Sequence, residues 1–174
     1  MSIKPYLTEI QIQTKIRELA LDIDVYCEQN RIQELQLICV LRGSIHFFSD
    51  LTRNLKTDCR YNFIGLDSYG AETSSSGKVQ LTYPLPSNLK GKHILVIEDI
   101  VDTGLSMKFL WKLLEEQQPE TLRLCSLLSK PSRRQTPIHI DYLGFEIEDA
   151  FVVGYGLDFN GKYRSLSYIG VLQN

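Results

Sequence analysis

Between residues 8 and 30 apolar side chains recur at Ile12, Ile16, Leu19, Ile23 and Tyr26. Spacings of three and four put such a stripe on one helical face, so an amphipathic helix is expected here. Residues 35–42 (LQLICVLR) then form a short continuous apolar run, broken by Gly43-Ser44, which suits a buried strand. SIHFFSDLTRNL, starting at Ser44, reads as a second helix and YNFIGLDSY (61–69) as a second strand. Residues 70–78 (GAETSSSGK) are small and polar without any period, which predicts a loop. VQLTY (79–83) alternates as a strand does, until Pro84 and Pro86 end it. HILVIEDI (93–100) reads as a buried strand running into an acidic loop. SMKFLWKLLEEQQ (106–118) follows as a helix with Met107, Leu110, Trp111 and Leu114 on one face and Pro119 as its stop. TLRLCSLLS (121–129) and DAFVVGYGLD (149–158) are expected to be further strands.

Strands alternating with helices imply a mostly parallel sheet covered on both faces. There is no repeat, low-complexity tail or linker, so the expectation is one α/β domain over residues 1–174.

Composition narrows the picture. With 174 residues and 43% hydrophobic content, the chain can bury a core without disulfides or metals. The formal charge is 19 − 21 = −2, which argues against a dedicated nucleic-acid binder but leaves room for a local anion site. Cys27, Cys39, Cys59 and Cys125 form no C-x-x-C pair and read as buried reduced thiols. His46, His93 and His139 fit no zinc spacing. The start MSIKPYLTEI has no basic stretch followed by an apolar one, and no apolar run approaches the roughly 18 residues of a membrane span. The expected location is the cytoplasm, without membrane partners.

Candidate chemistry concentrates in Val96-Ile-Glu-Asp-Ile-Val-Asp-Thr-Gly-Leu-Ser106. An apolar strand delivers Glu98 and Asp99 to its carboxyl end, where open α/β sheets bind ligands. Asp102, Thr103, Gly104, Leu105 and Ser106 then turn into a helix, whose unpaired N–H groups suit a phosphate. Gly104 lets the backbone come close to a ligand, and Thr103 and Ser106 add hydroxyl donors. Glu98 and Asp99 can accept hydrogen bonds from sugar hydroxyls or hold Mg²⁺. Asp and Thr before a helix are also ordinary caps, but capping needs only one carboxylate and three are present here. The segment matches neither dinucleotide-binding nor P-loop signatures.

VIEDIVDTGLSM resembles the phosphoribosyl pyrophosphate (PRPP) motif of type I phosphoribosyltransferases: four apolar residues, two acidic, two apolar, then acid-Thr-Gly. The order of the other segments, from about Leu35 to Leu172, is similar to the 6-oxopurine branch of that family, the hypoxanthine phosphoribosyltransferases. The resemblance implies a type I phosphoribosyltransferase fold with a small hood and a mobile loop. It also implies Mg²⁺-dependent transfer of a phosphoribosyl group from PRPP to hypoxanthine or guanine, and assembly into a homodimer or homotetramer.

The resemblance assigns roles residue by residue. Leu41, Arg42, Gly43 and Ser44 match a pyrophosphate loop whose first peptide bond can be cis, and Arg164 matches an arginine contacting pyrophosphate. Ser68 and Tyr69 match the opening of a loop that closes over the reacting centre, where a lid would keep water from an oxocarbenium-like ribosyl cation. Lys130 matches a donor to the purine 6-oxo group; an ammonium only donates, so it disfavours a 6-amino group. Phe151 and Val152 match residues that stack on the base and contact it through the backbone. Asp158 matches a carboxylate near a second Mg²⁺, beside Glu98 and Asp99. Asp102 is placed to accept the proton of purine N7. The resemblance departs at Leu105, where relatives often carry lysine; its side chain brings no charge, while its backbone N–H remains available. Arg133-Arg134 reads as solvated surface.

Two other functions compete. One is the same reaction on xanthine, adenine or uracil, against which Lys130 disfavours adenine and Phe151-Val152 fit a purine better than uracil. The other is an RNA-binding regulator of the same fold, which the scattered basic residues and net charge of −2 disfavour.

Overall fold

The computed structural model describes residues 2–69 and 78–173. Its elements are β1 (Ser2–Leu7), α1 (Glu9–Gln29), β2 (Glu34–Leu41), α2 (Ile45–Asn54), β3 (Asp58–Tyr69), β4 (Lys78–Leu81), β5 (His93–Val101), α3 (Leu105–Glu115), β6 (Thr121–Ser129), β7 (Tyr142–Glu146), β8 (Val152–Val153) and β9 (Ile169–Gln173). A 3₁₀ turn at Pro131–Arg133 follows β6.

The central sheet has the order β4-β3-β2-β5-β6-β7. β3, β2, β5, β6 and β7 are parallel, and β4 is an antiparallel edge. β2 and β5 are almost wholly buried because helices cover both faces of the sheet. On one face α1 and α2 pack Ile12, Ile16, Ile23, Phe47 and Leu51 against Leu37, Cys39, Leu95 and Ile97. On the other, Met107, Leu110 and Leu114 of α3 pack against Ile38, Val96 and Leu124, with Leu89 from the connection before β5. α1 starts where expected because Thr8 and Gln11 form a reciprocal cap, each side chain bonding the other's backbone.

β1, β9 and β8 form a separate antiparallel sheet, the small hood. It joins the two ends of the described residues, with Ser2 opposite Gln173. The expected strand over 149–158 is corrected to the two residues of β8. Gly154, Tyr155 and Gly156 have φ of 99°, 51° and 100°, a left-handed path that leaves the strand region. The loop predicted at 70–78 lies outside the described residues except for Lys78, which opens β4.

All four cysteines are free. Burial pushes the thiols of Cys39 and Cys59 up to about 12, so both stay protonated near neutral pH. Among the described residues no helix is long and apolar enough to cross a membrane.

Candidate functional site

Parallel pairing brings the carboxyl ends of β2, β5 and β6 to one edge of the sheet. Three loops leave there: Arg42-Gly43-Ser44 after β2, Asp102-Thr103-Gly104 after β5, and the turn beginning at Lys130 after β6. The loop around β8 stands opposite. Between them lies an open cavity of about 780 Å³. Leu41, Arg42, Gly43, Asp99, Asp102, Lys130, Phe151, Val152, Asp158 and Arg164 all line it. An adjoining pocket of about 80 Å³ is lined by Glu98, Asp102, Thr103, Gly104 and Ser106. Gly65, Leu66, Thr82, Tyr83, Ile100, Leu157 and Gly161 complete the main wall without having been singled out in the sequence. Backbone pairing of Ser68 with Val79 and Tyr69 with Lys78 ends β3.

The Leu41–Arg42 peptide bond is cis. Gly43 sits so close to Asp99 that a Cβ would collide with Asp99 Oδ2. Only glycine allows that carboxylate and this loop to share the space. Ser44 is fully buried and donates to the carbonyl of Val40 at 2.7 Å, which pins the turn out of β2.

Gly104 caps α3 in the left-handed region (φ 84°), and no side chain caps that helix. Its first amides therefore face the small pocket, apart from a long 3.4 Å bond from Leu105 N–H to Thr103 Oγ1. Glu98 is buried, and its Oε2 has no hydrogen-bond partner among the described residues. Burial, then the neighbouring Asp99 charge, holds the Glu98 carboxyl well above the usual range. Burial also pushes Asp99 up to about 6, against the backbone N–H of Ile100, which donates to its Oδ1 at 3.0 Å.

Asp158 and Arg164 face the cavity as a pair, Nη2 to Oδ1 at 2.6 Å. Asp158 also accepts from Gly161 N–H at 2.7 Å, and Arg164 Nη1 donates to the carbonyl of Gly156 at 2.5 Å. The described residues hold no cluster of three or more His, Cys, Asp or Glu able to bind a metal by themselves. Mg²⁺ rarely needs one, since it usually takes one or two carboxylates and completes its shell with water and substrate phosphate. Asp99 and Asp158 on the cavity wall and the unpartnered Glu98 Oε2 fit that mode.

Phe151 is 53% exposed, with only Phe159 edge-on at 5.6 Å. A large aromatic left bare on a cavity wall offers a stacking face, whereas core packing would have covered it. Val152 is buried and pairs with Val171. Lys130 is 7% exposed, and its N–H is held by the carbonyl of Val101 at 3.0 Å.

The reading of Arg133-Arg134 as solvated surface holds for Arg133, whose side chain is exposed, and fails for Arg134, which is half-buried. Arg133 Nε lies 3.0 Å from Asp102 Oδ1, and its Nη1 lies 3.5 Å from Asp149 Oδ2. Arg134 Nη2 donates to Ser129 Oγ at 2.7 Å, and its Nη1 is buried without a partner. The segment folds back because the carbonyl of Thr103 accepts from the N–H groups of Gln135 and Thr136. Sequence reasoning also passed over Asp149. The only signal was opposite charge: Arg-Arg just after Lys130 and an acid just before Phe151.

A mostly parallel α/β sheet with a small pocket at a helix N-terminus and a larger open cavity beside it is the architecture of α/β proteins that bind phosphate-bearing ligands at the carboxyl ends of their strands. The model of the phosphoribosyl transferase domain matches residues 4–160, and the chain belongs to that family. A hypoxanthine-guanine phosphoribosyltransferase of Mycobacterium avium is 43% identical over 95% of this chain and 83% of its own length. A hypoxanthine phosphoribosyltransferase of Haemophilus influenzae is 37% identical over 94% of this chain and 92% of its own. The crystal structure of a hypoxanthine-guanine phosphoribosyltransferase from Bacillus anthracis superposes with a TM-score of 0.92 at 41% identity, covering 99% of this chain and all of that one.

Proposed function

We propose that the protein transfers the 5-phosphoribosyl group of PRPP to hypoxanthine or guanine, giving IMP or GMP and pyrophosphate in purine salvage. One observation carries the reading: Asp102, Lys130 and Phe151 share a single cavity with Leu41–Gly43 and Arg164, next to the pocket at the start of α3.

The bond from the anomeric carbon to pyrophosphate breaks and a bond to purine N9 forms. The open N-terminus of α3, with Thr103, Gly104, Leu105 and Ser106, takes the 5′-phosphate. Glu98 and Asp99 face the ribose. Leu41, Arg42, Gly43 and Arg164 meet the pyrophosphate, with Arg164 stabilising the charge that develops on it. Phe151 stacks on the base, Val152 borders it and Lys130 donates to its 6-oxo oxygen. Asp102 accepts the N7 proton as general base. Ser68 and Tyr69 begin the segment that shields the reacting centre from water. Glu98, Asp99 and Asp158 would hold Mg²⁺, which when bound neutralises charge on the leaving group. Holding both reactants in one cavity recovers much of the entropy of a bimolecular encounter.

Cytoplasmic location and a homo-oligomer belong to the same proposal. The exposed Tyr61 and Phe63, packed edge-on and tilted against Phe48 at 5.0 and 5.4 Å, support an interface between copies, which light scattering would test.

The deciding experiment mixes protein, PRPP and Mg²⁺ with hypoxanthine, guanine, xanthine, adenine or uracil in turn and follows nucleotide formation by ultraviolet absorbance. Magnesium-dependent turnover of hypoxanthine or guanine is expected. Turnover of adenine or uracil alone would remove the role of Lys130 and keep the reaction class. PRPP binding with no turnover of any base would favour a nucleotide-sensing regulator instead.

A further inference from the structure

Four charged side chains of alternating sign run along the purine end of the cavity. Lys130 Nζ lies 3.7 Å from Asp149 Oδ1. Arg133 Nη1 lies 3.5 Å from Asp149 Oδ2, and Arg133 Nε lies 3.0 Å from Asp102 Oδ1. The two ends, Lys130 and Asp102, line the cavity, while Arg133 and Asp149 lie outside its lining, exposed to solvent. The chain crosses three segments: the loop after β5, the 3₁₀ turn after β6 and the loop before β8.

Resting on the reading that Lys130 meets the 6-oxo oxygen and Asp102 meets N7–H, we infer that Arg133 and Asp149 are positioning residues that select the base by holding those two end groups apart and aimed. The physical reason is competition. An ammonium and a carboxylate on one small cavity attract each other, and a direct Lys130–Asp102 bond would consume the donor and the acceptor that the base needs. The 6-oxo oxygen and N7 are neighbours on one purine edge, so donor and acceptor must stand side by side with a face of each left free. Asp149 gives Lys130 a partner on its outer side, and Arg133 does the same for Asp102. An arginine suits the middle place because its planar fork reaches two carboxylates at once, Nε to one and Nη1 to the other. Lys130 is nearly buried while Asp149 is half exposed, so the 3.7 Å ion pair ties the lysine's outer side to the surface end of the line.

The test is steady-state kinetics on wild type, Arg133→Ala, Asp149→Ala and the double variant, with KM measured separately for hypoxanthine and for PRPP. Each single variant is expected to raise KM for hypoxanthine about tenfold and to leave KM for PRPP within about twofold. The double variant is expected to cost no more than the worse single one, because both break the same chain. An unchanged hypoxanthine KM in Arg133→Ala would overturn the inference. So would an equal rise in both KM values, which marks general loosening of the loop, or strictly additive losses in the double variant. Wild type that turns over no 6-oxopurine overturns the functional reading and this inference with it; normal wild-type turnover with an unaffected Arg133→Ala overturns this inference alone.

Discussion

From Glu98 to Ser106 the phosphate side of the cavity is one unbroken strand, loop and helix start. The proposed purine side takes Lys130 and Arg133 from the start of the connection after β6 and Asp149 and Phe151 from the loop before β8, and sets them around Asp102. The first side works through backbone amides and close approach, so its geometry is inherited from the central sheet. The second works through side chains and ion pairs, so its geometry depends on loops finding each other. Damage to the first should therefore affect catalysis as a whole, while damage to most of the second should register as base affinity and selectivity.

Asp102 belongs to both sides, and its loss should have the largest effect. Asp102→Asn keeps the shape of the side chain but removes the basic carboxylate that takes the N7 proton; kcat is expected to fall by about 10²–10⁴ with PRPP binding retained, read by calorimetry beside turnover. Unchanged turnover would remove the general-base role. Gly43→Ala comes next. The added methyl meets the Asp99 carboxylate, and displacement of the loop after β2 should lower kcat/KM about 10²-fold for PRPP and purine alike. A loss confined to the purine would break the comparison. Lys130→Gln should lower kcat/KM for hypoxanthine by about 10- to 100-fold and narrow the discrimination against adenine, because a charged donor to a carbonyl is replaced by a neutral amide. Competition between the two bases would measure it. Phe151→Ala should raise purine KM by about tenfold with PRPP KM unchanged, the scale of one lost stacking face. The smallest effect concerns stability. Tyr155 donates to Asp50 Oδ2 at 2.5 Å, tying the loop after β8 to α2. Tyr155→Phe should cost about 1–3 kcal/mol in urea unfolding, and a loss of selectivity without a loss of stability would show that the tether acts on the site instead.

The same contrast explains what could be read in advance. The α1 stripe, the buried runs of β2, β5 and β6, and the α3 face are local periodicities; each produced its element within a residue, except that α3 ends at Glu115, three residues before the expected 118. The hood was legible only through the family resemblance. β1 carries Pro5 and mostly exposed side chains, and its partner β9 lies at the other end of the chain. β7 is a five-residue edge strand with no strong apolar run. The segment 149–158 looked like a strand because it is apolar, yet three consecutive positive φ values make it a loop. Arg133 is exposed, as its sequence setting suggested, but its partners Asp102 and Asp149 come from distant segments and left no local signal.

By itself the sequence determined the α/β scaffold, the acidic strand end running into Thr103-Gly104, and therefore an open helix N-terminus at α3 beside that acidic end. Those features depend on residues a few positions apart, where period, capping and helix ends act directly on the chain. Only the tertiary structure decided that Asp99 would nest against Gly43, that Phe151 would be left bare at the cavity, and that Lys130, Asp149, Arg133 and Asp102 would join into one line of alternating charge. Contacts of that kind form between segments brought together by sheet order and hood pairing, and no local pattern encodes which distant charge will arrive at 3 Å.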